Sequence, residues 1–293
     1  MHDMSTTRSV SPQPETPVPL NQLRRSLHLS SSQISQYLLC SQRYRYQQVQ
    51  GLLPTHTSIN LLFGRALHSA LEACYSLIQL RGEPLPLDAL QQLFVTGLNQ
   101  HIDDSAVPIL YNKLLPDLLA CESQGCAMLE PFHQHLQAQD FSTIRIEGIE
   151  LPLIAPLFDA GGKPTDFQLV GVIDLLLRDT RTNTLIAVDH KTSKSAYGNS
   201  QCDDSIQMSL YACLLHENGY LGANETFHGR FDVLRKLKTP SFEQIELTRT
   251  PDQIEAFLTL ARGVVHAIDC QVYLPVYGWA CNDCGYRERC RGR

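Results

Sequence analysis

An aspartate and a lysine stand two residues apart where one apolar segment of this chain ends. The stretch LIAVDHKTSKS, residues 185–195, passes from apolar residues into Asp189, His190 and Lys191. Because side chains two apart on a strand share a face, Asp189 and Lys191 are expected to point the same way. A carboxylate can bind a divalent cation, and a neighbouring ammonium group can stabilise negative charge on a phosphate.

A second carboxylate lies in the preceding apolar segment. Asp174 stands inside LVGVIDLLLRD, and antiparallel pairing around the turn-like TRTN would bring it beside Asp189. Two carboxylates in apolar surroundings repel and are costly to desolvate unless positive charge lies between them. Mg²⁺ or Mn²⁺ would supply that charge and could activate a water for attack on a phosphodiester. The alternative is a surface salt bridge between Asp189 and Lys191, with Asp174 ending a strand early.

The N-terminal half of the chain is predicted to be helical. Apolar residues at helical spacing indicate a helix within 29–49 and another within 58–80, and residues 86–139 are mostly helical in pattern. Serines at the start of the first helix can cap it, and Gly82 follows the second. Breaks are expected near three prolines: Pro108, Pro116 and Pro131.

The pattern then changes from helical to alternating. Strands within 142–154, 167–179 and 184–191 are joined by short loops, which predicts an antiparallel meander. The later segments are a helix within 203–219, strands at 226–235 and 242–248, and a helix from Pro251 to residue 269. A mixed α/β core is therefore expected after the helical half.

Composition suits a globular protein. The chain has 293 residues, of which 43% are hydrophobic and 18% charged, and its net charge is -6. No apolar run approaches the roughly 18 residues of a membrane span. Residues 1–27 are rich in Ser, Thr and Pro and lack the apolar core of a signal peptide, so we expect a disordered leader on a cytoplasmic protein. The negative charge counts mildly against nucleic-acid binding but does not reveal local patches.

The motifs and their order resemble a known family. GVID, followed on the next strand by DHK, resembles the PD-(D/E)XK nuclease superfamily in its RecB-like branch. GRALHSALE is similar to the helical histidine motif of that branch, and QMSLY is similar to its Q-x-x-x-Y motif. The resemblance covers roughly residues 30–293 and implies a restriction-endonuclease-like core.

The resemblance implies a metal site. His68, Asp174 and Asp189 would hold the ion, and the carbonyl of His190 would assist. Lys191 would orient the attacking water or neutralise charge in the transition state. The alternative for His68, which lies on an apolar helix, is a packed core histidine.

The same resemblance adds three further candidates. Gln207 and Tyr211 are four apart, hence on one helix face, and would contact the lysine or the DNA. The alternative for this pair is an ordinary amphipathic helix. Glu150 stands where these enzymes often carry an acid on the first core strand, and Glu147 competes with it.

Three cysteines stand close together near the C-terminus. Cys281, Cys284 and Cys290 form C-x2-C-x5-C, which leaves a four-ligand site one thiolate short, and Cys40 is the natural fourth. The split arrangement resembles AddB-type helicase–nuclease subunits and the CRISPR-associated exonuclease of the fourth Cas type, which implies a [4Fe–4S] cluster that staples the two ends of the chain. Zinc accepts the same four thiolates, and free thiols are the remaining alternative.

Basic and aromatic residues surround these cysteines. They are Arg43, Tyr44, Arg45 and Tyr46, and Arg287, Arg289, Arg291 and Arg293. Such a mixture suits single-stranded DNA through phosphate contacts and base stacking. A helix face with solvated arginines and buried tyrosines is the alternative.

These observations together predict a metal-dependent DNA nuclease. We expect one domain over 28–293, made of a helical part (28–140), an α/β catalytic core (141–270) and a Cys-rich tail (271–293). The expected activity is exonucleolytic, on single-stranded DNA or DNA ends, in repair, recombination or CRISPR adaptation. Because the chain has no P-loop, unwinding would need a helicase partner, and CRISPR adaptation proteins are another expected partner. A non-catalytic DNA-binding or adaptor module and a zinc-stabilised structural protein are the rival interpretations.

Overall fold

A computed structural model describes residues 27–196, 198, 202–222 and 224–292. Residues 1–26 of the predicted leader, and Arg293 of the predicted basic patch, lie outside these ranges. The described part contains a six-stranded mixed sheet with helices packed on both faces. This is the α/β arrangement that the sequence predicts.

The N-terminal half is helical, as expected. Its elements are β1 (His28–Leu29), α1 (Ser31–Leu39), α2 (Ser41–Tyr44, continued by a π-helical turn over Arg45–Val49), β2 (Thr57–Ser58), α3 (Ile59–Arg81), α4 (Leu87–Asp103), β3 (Ile109–Leu110) and α5 (Leu118–Ala138). Ser30 caps α1 through a capping box with Gln33. Gly82, at φ 79°, ends α3 in the left-handed conformation that glycine adopts readily.

Two helix boundaries differ from the prediction. The expected break at Pro131 is wrong, because α5 continues through this residue to Ala138. Proline removes one helical hydrogen bond, but Leu129, Phe132 and Leu136 are buried in the same core, and their packing keeps the helix intact. The helix predicted within 29–49 is divided at Cys40, whose extended backbone (φ −165°) separates α1 from α2.

The C-terminal half supplies most of the sheet. Its elements are β4 (Ile144–Phe158), β5 (Pro164–Asp179), β6 (Leu185–Ser193), α6 (Ile206–Glu217), β7 (Phe227–Arg235), β8 (Phe242–Arg249), α7 (Pro251–Asp269) and α8 (Arg287–Arg291). The antiparallel meander β4–β5–β6 is confirmed. Strand β7 lies parallel to β6, and β8 pairs antiparallel with β7 at the edge.

Strand β5 has two different neighbours along one of its edges. Strand β4 pairs along the whole of the opposite edge. On the shared edge, β1 pairs with β5 as far as Leu169, and β6 pairs with it from Leu175 onward. A fork therefore opens between β5 and β6, next to Asp174.

Two hydrophobic cores lie on the two faces of the sheet. Helices α1, α6 and α7 cover one face, and α3, α4 and α5 cover the other. Leu169 and Ile173 pack into the first core, whereas Leu175 and Leu177 pack into the second. The apolar side chains of β5 thus switch from one face of the sheet to the other at Asp174. Within the described residues, no helix combines the length and the hydropathy needed to cross a bilayer.

Candidate active site

The Asp174 carboxylate lies in the fork between β5 and β6. Its Oδ2 accepts a hydrogen bond from the backbone N–H of His190 at 2.7 Å. The carboxylate therefore satisfies a β6 backbone group at the position where the strands have separated. Asp174 is 8% exposed, so its charge is almost removed from water. The fork explains how an apolar strand can carry this acid in its middle.

Asp189 and Lys191 share one face of β6, as the sequence predicts. Lys191 Nζ lies 2.6 Å from Asp189 Oδ2. Asp189 is fully buried at 0% exposure, which rules out the surface salt bridge considered as the alternative. Lys191 lines a cavity of about 1110 Å³, and Asp189 lies buried next to it.

Helix α6 supplies two side chains that hold the lysine. Gln207 accepts a hydrogen bond from Lys191 Nζ at 2.7 Å and donates one to Tyr211 Oη at 2.8 Å. Tyr211 Oη donates to the carbonyl of Val172 at 2.7 Å and lies 3.3 Å from Asp189 Oδ1. Tyr211 thereby satisfies a carbonyl of β5 that the fork leaves without a strand partner. Gln207 and Tyr211 form part of a connected polar network, which an ordinary amphipathic face would not require.

Three groups converge on the other side of Asp174. Ligand atoms of His68, Glu150 and Asp174 all lie within 4.8 Å of one another. His68 reaches the site from α3, and its Nδ1 lies 3.5 Å from Asp174 Oδ2. One imidazole and two carboxylates at this spacing can bind a divalent cation. Asp189, on the adjacent strand, lies next to this trio and faces Lys191.

The backbone of β4 decides which glutamate enters the site. A register shift lies between Ile146 and Gly148, and Glu150 adopts a left-handed φ of 43°. A non-glycine residue in this conformation is strained, and such strain concentrates at functional sites. Glu147, by contrast, is bound by Arg145 and Arg178, with N–O distances of 2.6 and 2.7 Å. The structure therefore separates the two competing glutamates and places Glu150 with His68 and Asp174.

The site carries more negative charge than its own cations neutralise. Burial raises the pKa of the Glu150 carboxyl to about 7, and the carboxylates of Glu72 and Asp189 add to the rise. Burial, followed by the charge of Asp189, also raises the pKa of Asp174 well above its usual value. Asp189 Oδ2 is a buried oxygen that accepts no well-aligned hydrogen bond from the described residues. These features fit a bound divalent cation, which would lower the carboxyl pKa values of Glu150 and Asp174.

The His190 side chain lies behind the site. It stacks on Tyr75 with ring centroids 5.6 Å apart and meets His68 edge-on at 6.0 Å. Burial lowers its pKa well below the usual value, and the neighbouring His68 acts in the same direction. A neutral, buried ring therefore packs between Tyr75 and His68, on the residue whose backbone N–H donates to Asp174.

Two residues of α3 near the site were missed by the sequence analysis. Arg65 and Glu72 line the same cavity as His68 and Glu150. They stand three residues before and four residues after His68, which puts all three on one helix face. That spacing was the signal that could have found them.

The four cysteines also come together. Cys40, Cys281, Cys284 and Cys290 line one cavity, together with Arg43, Arg287 and Arg291. Burial raises the pKa of Cys290, and the thiols of Cys40, Cys284 and Cys281 raise it further, which reflects their proximity. Within the described chain, these sulfurs do not form a trio closer than 4.8 Å. A single tetrahedral zinc would need sulfurs about 3.8 Å apart, given its Zn–S bonds of about 2.3 Å.

Hydrogen bonds join the same two ends of the chain without any metal. Tyr37 Oη donates to the carbonyl of Val272 at 2.6 Å, and Ser41 Oγ accepts from the N–H of Leu274 at 2.8 Å. Tyr286 Oη donates to the carbonyl of Leu52 at 2.7 Å. The C-terminal segment is therefore fastened across α1, α2 and the loop that follows them.

Comparisons with known proteins address the fold and the family. No curated protein sequence matches the chain. Among solved structures, a candidate exonuclease from Eubacterium rectale is 13% identical, with a TM-score of 0.51 and coverage of 86% of this chain and 85% of that one. The structure of SSO0001 is 14% identical, with a TM-score of 0.35 and coverage of 86% and 93%. At these sequence identities, the first structure supports a similar fold for this chain and nothing further, and the second supports no conclusion.

A family model matches almost the whole described chain. It covers residues 28–291 and so includes both the fork with its acids and the four cysteines. The match is to the PD-(D/E)XK nuclease superfamily. The chain therefore belongs to the PD-(D/E)XK nuclease superfamily.

Proposed function

We propose that this protein is a metal-dependent deoxyribonuclease that hydrolyses phosphodiester bonds, and that it acts as an exonuclease on single strands or DNA ends. The observation that carries the proposal is the fork, where the buried carboxylates of Asp174 and Asp189 meet the ammonium group of Lys191. Burying charged groups costs free energy of folding. Buried acids beside a lysine are therefore better explained by a role in phosphoryl chemistry than by a stabilising role.

The residues that would hold Mg²⁺ or Mn²⁺ are His68, Glu150, Asp174 and Asp189, assisted by the carbonyl of His190. When bound, such an ion lowers the pKa of a coordinated water and offsets charge on the phosphate. The convergence of His68, Glu150 and Asp174 within 4.8 Å supports this assignment. The full burial of the Asp189 carboxylate on the adjacent strand supports it as well.

Lys191 would act directly on the substrate. Its Nζ donates to Gln207 at 2.7 Å and lies 2.6 Å from Asp189 Oδ2, so both side chains fix the position of the ammonium group. From this position the ammonium group can donate to a phosphate oxygen or orient the attacking water. Gln207 and Tyr211 position the lysine and do not need to touch the DNA.

The proposal is tested by nuclease assays on end-labelled single- and double-stranded DNA with Mn²⁺ or Mg²⁺. Lys191→Ala and Asp174→Asn should each lower the rate by about 10²-fold or more, because each removes a group that acts on the transition state. Two variants serve as matched controls: Lys194→Ala, at an exposed residue just after β6, and Asp179→Asn, at a half-buried residue at the end of β5. A circular single strand, which has no ends, separates exonuclease from endonuclease activity.

Three outcomes decide between the interpretations. Full activity in the controls together with loss in the two site variants supports the nuclease. DNA binding without cleavage by any variant, wild type included, would favour the adaptor module instead. Rapid cutting of the circle would overturn the exonuclease assignment while leaving the nuclease intact.

We further propose that the four cysteines hold a [4Fe–4S] cluster, and that the chain belongs to the RecB-like branch. The four cysteines line one cavity, which supports a shared metal site. Arg43, Arg287 and Arg291 line the same cavity and would balance the negative charge of four thiolates and a cluster. We expect a structural role, because the hydrogen bonds around the cysteines already join the two chain ends. We also propose that residues 28–293 form a single domain. A helicase or CRISPR adaptation proteins are its proposed partners.

A further inference from the structure

The candidate active site opens into two cavities. Lys191, Gln207 and Tyr211 line the first, which has a volume of about 1110 Å³. His68 and Glu150 line the second, of about 470 Å³. The lysine half and the metal-ligand half of the site thus face different spaces. Hydrolysis at one phosphate requires both halves, so the reacting phosphate must lie where the two cavities meet.

Arg65 lies at that junction. Among the residues that the structure describes, it is the one that lines both cavities. It stands one helical turn before His68 on α3, and the two side chains therefore share a face. Gly64 precedes it and adds no side chain beside the guanidinium.

The guanidinium of Arg65 is uncommitted. Arg65 is exposed, and its side chain makes no hydrogen bond, ion pair or ring contact with any other described residue. Lys191, the cation that lines the first cavity, is held by Asp189 and Gln207. Glu72 and Glu150 line the same cavity as Arg65, yet neither forms an ion pair with it in the described chain. A positive group beside unpaired acids is available for an anion that arrives with the substrate.

We propose that Arg65 binds a backbone phosphate next to the scissile bond and so holds the DNA strand across the junction of the two cavities. This inference rests on the proposed nuclease function and names one contact within it. The planar guanidinium can donate two parallel hydrogen bonds to the two non-bridging oxygens of a phosphate. Arg65 is a substrate-binding residue in this scheme, and it takes no part in activating water.

The test uses neutral phosphates. A set of single-stranded oligonucleotides would each carry one methylphosphonate, which removes the charge of a single phosphate. Binding is measured with Ca²⁺ in the Lys191→Ala variant, with and without Arg65→Ala. With Arg65 present, one position should weaken binding by about tenfold when its charge is removed. With Arg65→Ala, that position should lose its penalty while the other positions keep theirs.

Controls distinguish this contact from a general charge effect. Arg81→Ala removes the same charge from the last turn of the same helix, roughly 24 Å away at 1.5 Å per residue, and should leave the profile unchanged. Arg65→Lys should restore part of the penalty. A profile that is identical with and without Arg65 would overturn the inference, even if wild type cleaves DNA normally. If wild type neither cleaves nor binds DNA, the proposed function fails and the inference fails with it.

Discussion

Gln207 joins Lys191 to Tyr211, since its Oε1 accepts from Lys191 Nζ at 2.7 Å and its Nε2 donates to Tyr211 Oη at 2.8 Å. Gln207→Leu should therefore lower kcat by about ten- to a hundredfold, the usual range for a residue that orients an active group. Affinity for DNA should change little, because the lysine remains. Single-turnover rates and binding curves check both parts, and a loss of affinity with unchanged kcat would contradict the positioning role.

Tyr211→Phe should act mainly on stability. The change removes the donor to the Val172 carbonyl, which lies in the fork and has no strand partner there. Leaving a buried carbonyl unsatisfied costs about 1–3 kcal/mol. Urea unfolding of the variant should show this loss, and Tyr220→Phe, at a half-buried tyrosine near the end of α6, is the matched control. Equal stability in both variants would show that Val172 finds another partner.

Glu150 should make the metal-free protein less stable as the pH rises. Its pKa in the folded state is raised to about 7 by burial and by Glu72 and Asp189, above its ordinary value of 4.5. The folded state therefore favours the protonated form. That contribution is fully present below pH 4.5 and is lost as the pH rises towards 7. Glu150→Gln should consequently raise Tm at pH 8 in the presence of a chelator and have little effect at pH 4.

Glu147→Gln is the control, and its sign is opposite. Burial acts to raise the pKa of Glu147, but Arg178 and Arg145 outweigh it and lower the value overall. The stability that this pair of arginines confers is present at neutral pH and is lost as the pH falls through the lowered pKa. Glu147→Gln should therefore lower Tm at pH 7, with a difference that shrinks in acid. Parallel pH profiles for the two variants would contradict the separation of these glutamates.

Gly171 sets the distance between β5 and α6. A Cβ at this position would lie 2.6 Å from Leu214 Cδ1, which is too close unless the Leu214 side chain or the helix shifts. Gly171→Ala should cost about 1–3 kcal/mol of stability through overpacking. Because α6 carries Gln207 and Tyr211, activity should fall as well. The double variant Gly171→Ala, Leu214→Ala restores space and should recover part of the activity, whereas no recovery would exclude helix displacement as the cause.

The proposed cluster predicts that iron content and thermal stability depend on Cys284. If the proposed cluster is present, Cys284→Ser should abolish bound iron and lower Tm in protein purified without oxygen, because it removes one of the four proposed ligands. Cys270→Ser alters an exposed cysteine near the same end and outside the cavity, and it should change neither quantity. Iron, sulfide and zinc analysis together with the visible absorbance decide the matter. Stoichiometric zinc with no iron would overturn the cluster.

Sequence periodicity was sufficient for most elements and for part of the site. Alternating apolar residues specify the meander, and the two-residue spacing places Asp189 and Lys191 on one face, as observed. The direction of Glu150 could not be predicted, because it depends on a register shift and a left-handed φ of 43°. The switch of the β5 apolar side chains between the two faces at Asp174 could not be predicted either. It occurs where the neighbour of β5 changes from β1 to β6. Helix α5 passes through Pro131 because tertiary packing outweighs a local preference.

The contacts between the two ends of the chain also fix the order in which the molecule can be completed. Tyr37 and Val272, which share a hydrogen bond, are 235 residues apart. At roughly 5–20 residues per second, a ribosome would synthesise that interval in about 12–47 s. During this time Cys40 would have emerged without the three cysteines that complete its cavity, and its thiol would be open to oxidation. Completion of the four-cysteine set must therefore wait for the synthesis of Cys290, and a chain released before Cys290 would lack it.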